Sequence, residues 1–124
     1  RAVDEAQATV AVLTAPDVVT VTLAAEAGAP GASARAFWSR ERGMVFTADN
    51  LPAAPEGQAY QVWVITADAP VSAGLLTPNA DGGASALFPA RPDIAAPTAI
   101  AVTVEAAGGA DTPTGDPLLR GVVS

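Results

Sequence analysis

The chain has 124 residues, enough for one compact domain that buries roughly 65–70% of its unfolded surface, and not comfortably enough for two. It carries six arginines, no lysine, no histidine and no cysteine against 13 carboxylates, for a formal net charge of −7. These absences exclude disulfides, thiolate and imidazole catalysis, cysteine- or histidine-ligated zinc, Schiff bases and the P-loop lysine.

What remains for chemistry is carboxylates, arginine, hydroxyls, one tyrosine and two tryptophans. A paired-carboxylate glycosidase is the one common catalytic class left open, and the expectation is a non-enzymatic domain without metal or cofactor. Six scattered arginines make no basic stripe, so nucleic acid is not an expected partner. An anionic membrane surface repels such a domain. No stretch reaches 18 consecutive apolar residues, and no signal-peptide pattern follows Arg1. The expectation is a processed or excised part of a longer protein.

Residues 1–9 mix Ala, Gln, Glu and Asp without alternation and read as a short helix or a tether. Residues 10–13 form a short apolar run, read as a strand, which Ala15-Pro16-Asp17 punctuates. Residues 17–24 alternate, with Val19, Val21 and Leu23 on one face and Val18, Thr20 and Thr22 on the other, which predicts a strand. A Gly/Pro/Ala turn over 28–33 leads to a second strand over 34–38, broken only by Arg35. Ser39 to Gly43 is a charged hairpin tip, and 44–48 is the returning strand.

A longer connection with Pro52 and Pro55 reaches Gly57. Residues 60–66 give the strongest strand: Tyr60, Val62 and Val64 oppose Gln61, Trp63 and Ile65, and both faces are largely apolar, as in a central strand covered on both sides. Asp68-Ala69-Pro70 turns the chain into a strand over 71–76, where the interior Gly74 predicts a bulge or a close backbone approach. Residues 78–83 are a turn, 84–88 a short strand, and 89–97 an irregular connection with three prolines. Residues 98–105 alternate again, a looped excursion follows through Gly108-Gly109 and Thr112-Pro113-Thr114-Gly115, and 118–123 closes the chain as a strand. Seven to nine short strands with Gly/Pro turns, and no 3.6-residue period, predict an antiparallel β-sandwich, with a partly open barrel as second choice.

Four features invite a functional reading. Asn79 and Asp81 before Gly82-Gly83 are a fragment of a calcium loop, but nothing completes the ligand set, and a hairpin turn accounts for them. Tyr60 and Trp63 fall on opposite faces of one strand, so they and Trp38 read as buried aromatics rather than a sugar platform, and the Trp63 N–H then needs a partner. Arg40, Glu41 and Arg42 read as a solvated tip. Glu105 ends an apolar strand and faces a Gly-Gly loop, whose amides a carboxylate can hold.

Several segments taken in order resemble one family: Asn50-Leu51-Pro52, Tyr60-Gln61-Val62-Trp63, Pro70-Val71-Ser72-Ala73-Gly74, Thr103-Val104-Glu105, Gly108-Gly109 and Pro113-Thr114-Gly115. This order is similar to the C-terminal, extracytoplasmic domain of the anti-sigma-K factor family, over roughly residues 11–121. The resemblance marks Tyr60, Gln61, Trp63, Gly74, Glu105, Gly108, Gly109, Pro113, Thr114 and Gly115 as signature residues with a structural role. It implies a single-pass bacterial membrane protein that holds a sigma factor through a cytoplasmic segment absent from this chain, and is destroyed by a membrane protease. Residues 1–9 then become a juxtamembrane tether just outside the membrane, and 10–124 a single domain on the extracytoplasmic side. In that reading the strand over 10–13 packs into the sheet and shields the tether. The alternative is a secreted or wall-associated module that binds a glycan or a peptide.

Overall fold

β-branched residues alternating with small or polar ones build most of this chain into strands. The computed structural model describes residues 2–25 and 31–123. Arg1 and residues 28–30 of the expected 28–33 turn lie outside them. A helix, α1 (Ala2–Leu13), precedes eight strands: β1 (Val19–Ala25), β2 (Ser33–Ser39), β3 (Gly43–Asp49), β4 (Gln58–Ile65), β5 (Pro70–Leu76), β6 (Ala84–Phe88), β7 (Ala99–Ala106) and β8 (Leu119–Val122). They form one antiparallel sheet in the order β5-β4-β7-β8-β1-β2-β3-β6.

The sheet curls until its two free edges approach. A Cβ on Gly74 of β5 would stand 2.8 Å from the Phe88 ring of β6, so glycine lets the ring close the gap. The pairing of β5 with β4 also shifts register between Val62 and Trp63, opposite Ala73, so Gly74 marks both a bulge and a close approach. The all-β antiparallel architecture stands as expected, with the layers of the sandwich joined through β8 and β1 into a nearly closed barrel. β8 is the seam, pairing with β7 over four residues and with β1 through Arg120 and Leu119.

The barrel interior takes one face of each strand: Val21 and Leu23, Ala34, Ala36 and Trp38, Met44, Phe46 and Ala48, Tyr60, Val62 and Val64, Ile100 and Val102, and Leu119. These are the residues that period two places together.

Residues 10–13 are not a strand; they form the last turns of α1. A four-residue apolar run carries too little periodicity to decide, and the Ala-rich segment before it favours helix. The burial shows the difference. A strand would set Val10 and Val12 on one face, whereas the helix leaves Val10 57% exposed and buries Val12 completely.

Gly121 sets the close approach at the seam, since a Cβ there would lie 2.3 Å from the Thr22 carbonyl oxygen. Gly115 stands in open space. Gly121→Ala is expected to cost about 3 kcal/mol in thermal or urea unfolding, and Gly115→Ala to stay within about 0.5 kcal/mol of the parent.

Candidate functional site

Trp63, Gln61, Ala101, Thr103 and Glu105 share the face of β4 and β7 that looks away from the barrel interior. All five are nonetheless buried. The connection from Ala107 to Leu118, which has no regular secondary structure, is held on this face by side chains.

Two clamps do the holding. Gln61 donates from Nε2 to the Ser72 hydroxyl (2.7 Å) and the Ala110 carbonyl (3.0 Å), while its Oε1 accepts the Ala110 N–H (2.9 Å). Glu105, 1% exposed, accepts three donors. The Thr103 hydroxyl reaches Oε2 at 2.5 Å, the Thr114 N–H reaches Oε2 at 3.1 Å, and the Thr114 hydroxyl reaches Oε1 at 2.5 Å. Thr103 in turn accepts the Trp63 indole N–H at 2.8 Å. A tryptophan, a threonine and a glutamate thus form one chain of hydrogen bonds ending on the loop. No buried side-chain polar atom among the described residues lacks a partner.

Burial pushes the Glu105 carboxyl up, but donation from Thr103 and from the Thr114 hydroxyl and N–H outweighs it and holds the group below its ordinary range. Glu105 is a fixed anion engaged by its neighbours under the loop, the wrong state for a general acid. The described residues hold no group of three or more metal-ligating side chains.

The expected partners of Glu105 are partly exchanged. The Gly108-Gly109 loop is gripped by Gln61, and the carboxylate takes Thr114 in the Pro113-Thr114-Gly115 segment instead. Gly109 has φ +87° and closes a tight turn, its N–H donating to the Ala106 carbonyl at 2.7 Å. Gly108 has open space where a Cβ would stand, so nothing there requires glycine. Tyr60 points into the barrel, where its hydroxyl donates to the Pro52 carbonyl at 2.5 Å and burial raises its pKa. Tyr60 and Trp63 are buried on opposite faces, as expected, and the Trp63 N–H has the partner it needs. Asn79 to Gly83 is a turn, with Asp81 Oδ1 accepting the Gly83 N–H at 3.0 Å.

The hairpin tip between β2 and β3 is more engaged than a solvated run. Asp17 accepts the Ser39 hydroxyl (2.8 Å) and the Arg40 N–H (3.2 Å), and the Ser39 bond chiefly lowers its pKa. Arg40 lies 5.4 Å over the Trp38 ring and donates to the Ile94 carbonyl. Arg42 donates to the Ala11 carbonyl of α1 at 2.9 Å. No spacing in the sequence announces the hydrogen-bonded pairs, because each joins segments 22 to 54 residues apart.

The signature residues can now be placed in the molecule. Gln61, Trp63, Glu105, Gly109 and Thr114 meet on the outer face of β4 and β7, Gly108, Pro113 and Gly115 lie in the loop that covers it, and Tyr60 and Gly74 face inward. A family model described as "Anti-sigma-K factor rskA, C-terminal" matches residues 1–118. The chain belongs to this family. Relatives named anti-sigma-K factor RskA are 38% identical over 110 residues in Mycobacterium tuberculosis, 36% over 105 in Mycobacterium ulcerans and 34% over 103 in Mycolicibacterium vanbaalenii. These matches take in 83–84% of this chain and 42–43% of each relative, so the chain spans less than half the length of the relatives it matches. No solved structure matches it.

The Glu105 clamp gives an acid-sensitivity with a definite sign. Its three donors favour the carboxylate, so their contribution is complete above the unfolded glutamate pKa of about 4.3 and falls away as pH drops through the lower folded value. Glu105→Gln is expected to lose about 1.5–3 kcal/mol at pH 7, and the gap to the parent should close as pH falls below the folded pKa. Urea unfolding at a series of pH values checks both the size and the convergence.

Proposed function

We propose that the chain is the extracytoplasmic regulatory domain of a membrane-anchored anti-sigma factor, and that it governs release of the sigma factor through regulated proteolysis. The observation that carries this reading is family membership across residues 1–118. The sigma factor is bound by a cytoplasmic segment outside this chain, and the second partner is a membrane protease. Nucleic acid and cofactors have no part, and this fragment does not enter the bilayer. No helix among the described residues is long and apolar enough to cross a membrane.

The geometry supports a protective role. Residues 1–9, the juxtamembrane tether of this reading, belong almost wholly to α1, which lies on the outer side of the barrel against β2, β3 and β6. Proteases need an extended, accessible backbone, so a tether kept helical and docked resists cleavage. The barrel is then the support that keeps α1 docked. Its signature residues act by holding the fold: Gln61, Trp63, Glu105 and Thr114 through the outer loop, Tyr60 and Gly74 through the interior.

The test uses the full-length protein in its own membrane, with a reporter for the sigma-dependent promoter. Glu105→Ala, which leaves Thr103 and Thr114 without their acceptor, is expected to increase cleavage outside the membrane and raise the reporter several-fold. An uncleaved protein and an unchanged reporter, with the domain shown unfolded in the same membranes, would overturn the reading.

A further inference from the structure

The last turn of α1 offers its carbonyls without a cation of its own, since no basic residue occupies that turn. The cation comes from elsewhere. Arg42, at the tip of the β2–β3 hairpin, donates from its guanidinium to the Ala11 carbonyl at 2.9 Å. The tip is held in turn: the Arg42 N–H donates to Ser39 Oγ (3.2 Å), Ser39 donates to Asp17 Oδ1 (2.8 Å), and Asp17 Oδ2 takes the Arg40 N–H (3.2 Å). Asp17 lies four residues beyond the end of α1, so helix end, linker and hairpin tip close into one ring of polar contacts.

Apart from this ring, few of the described side chains of α1, those of residues 6–13, are buried. Among them Val12 is fully buried, and Ala15 beyond the helix follows it into the packing, whereas Ala6, Val10 and Leu13 face solvent. An open groove of about 410 Å³, lined by Ala6 and Thr9 of the helix and by Val45, Thr47 and Leu87 of the sheet, separates its middle from β3 and β6. A helix of 12 residues is marginal on its own, so docking decides whether it persists.

We propose that the β2–β3 tip is a catch that holds α1 closed on the barrel, with Arg42 as the residue whose release frees the helix while the barrel stays folded. The consequence for regulation rests on the function proposed above: whatever displaces Arg42 from Ala11 exposes the tether to a protease without melting the domain. Glu41 and Arg42 are exposed on the tip, where a binding partner can reach them.

Native-state hydrogen exchange on the 124-residue chain, resolved to α1 and to β4 and β7, tests the catch. Arg42→Ala should speed exchange of the α1 amides about 3- to 10-fold while β4 and β7 exchange at the parent rate. A broad-specificity protease should cut within α1 faster by a similar factor. Arg42→Lys, which keeps a point cation but loses the planar donor fork, should fall between. Arg91→Ala, which removes an arginine paired with the exposed Asp93, should leave α1 unchanged. The proposal is overturned if α1 exchange does not respond to Arg42→Ala, or if α1 and the barrel strands accelerate together. The measurement needs neither membrane nor sigma factor. A working catch in a full-length protein whose cleavage leaves the sigma factor bound would therefore sink the regulatory reading alone.

Discussion

A strand pair buried on both faces needs a cover on each side, and in this domain the second cover has no regular structure. β4 and β7 present Tyr60, Val62, Val64, Ile100 and Val102 to the barrel interior, where the curled sheet covers them. Their other face carries Trp63, wholly buried, and residues 107–118 are tied to that face at Gln61 and Glu105. An irregular segment laid over an apolar surface brings amides and carbonyls that a ladder does not satisfy. Gln61 and Glu105 supply the missing partners, at Ala110 and Thr114. The rest of the topology follows, because the same segment delivers the chain to β8. Leu118 N–H donates to the Val102 carbonyl and Val123 N–H to the Thr98 carbonyl, so β8 is stitched to β7 at both ends. β8 then pairs with β1 and joins the two halves of the sheet.

Alanine, the commonest residue of the chain, has a structural use inside this narrow barrel. The inward rows across β2, β3 and β6 are Trp38–Met44–Phe88, then Ala36–Phe46–Ala86, then Ala34–Ala48–Ala84. Large side chains fill one end, a single phenylalanine sits between alanines in the middle, and the last row is alanine alone. Small and large residues alternate in this way where a curled sheet tapers and its interior must be filled without voids. This explains much of the low aromatic content too, since a few large rings suffice when the strands between them approach closely.

The eight strands were legible because each rests on local information. Val19, Val21 and Leu23, or Ile100, Val102 and Val104, declare their shared face by period two alone, and glycine and proline mark where each run stops. The helix end was not legible, since four apolar residues suit either period and only the position of Val12 against the sheet decides. The site was legible in part. Glu105 at the end of an apolar strand signals a buried acceptor, and the glycines beyond it signal a loop that needs holding. Which loop residue it takes depends on the path of 12 residues without periodicity, so Thr114 and the Gln61–Ala110 pairing appear only in three dimensions. A glutamine on a strand otherwise apolar on both faces is the one signal that pointed to the second clamp.

The scarcity of cations gives the placement of the arginines its meaning. With six arginines against 13 carboxylates, the simplest use of each arginine would be an ion pair. Arg91 follows that pattern with Asp93 on the surface, where such a pair contributes little. Among the described residues Arg40 and Arg42 do not. Both leave the hairpin tip to meet backbone carbonyls, those of Ile94 and Ala11, and so tie down two segments that lie outside the strand ladder. The carboxylate of Asp17 holds the tip itself through the Ser39 hydroxyl and the Arg40 amide, which orients both guanidiniums from one point. The domain therefore has two layers of order. The barrel rests on apolar burial and on the Gln61 and Glu105 clamps, whose own side chains are buried. The helix is held by buried Val12 and by the exposed Arg42–Ala11 contact, and the 89–97 connection by the partly buried Arg40–Ile94 contact. On the proposed catch, loss of Arg42 loosens α1 first, because its contact with Ala11 is exposed whereas the apolar contacts of the barrel are buried.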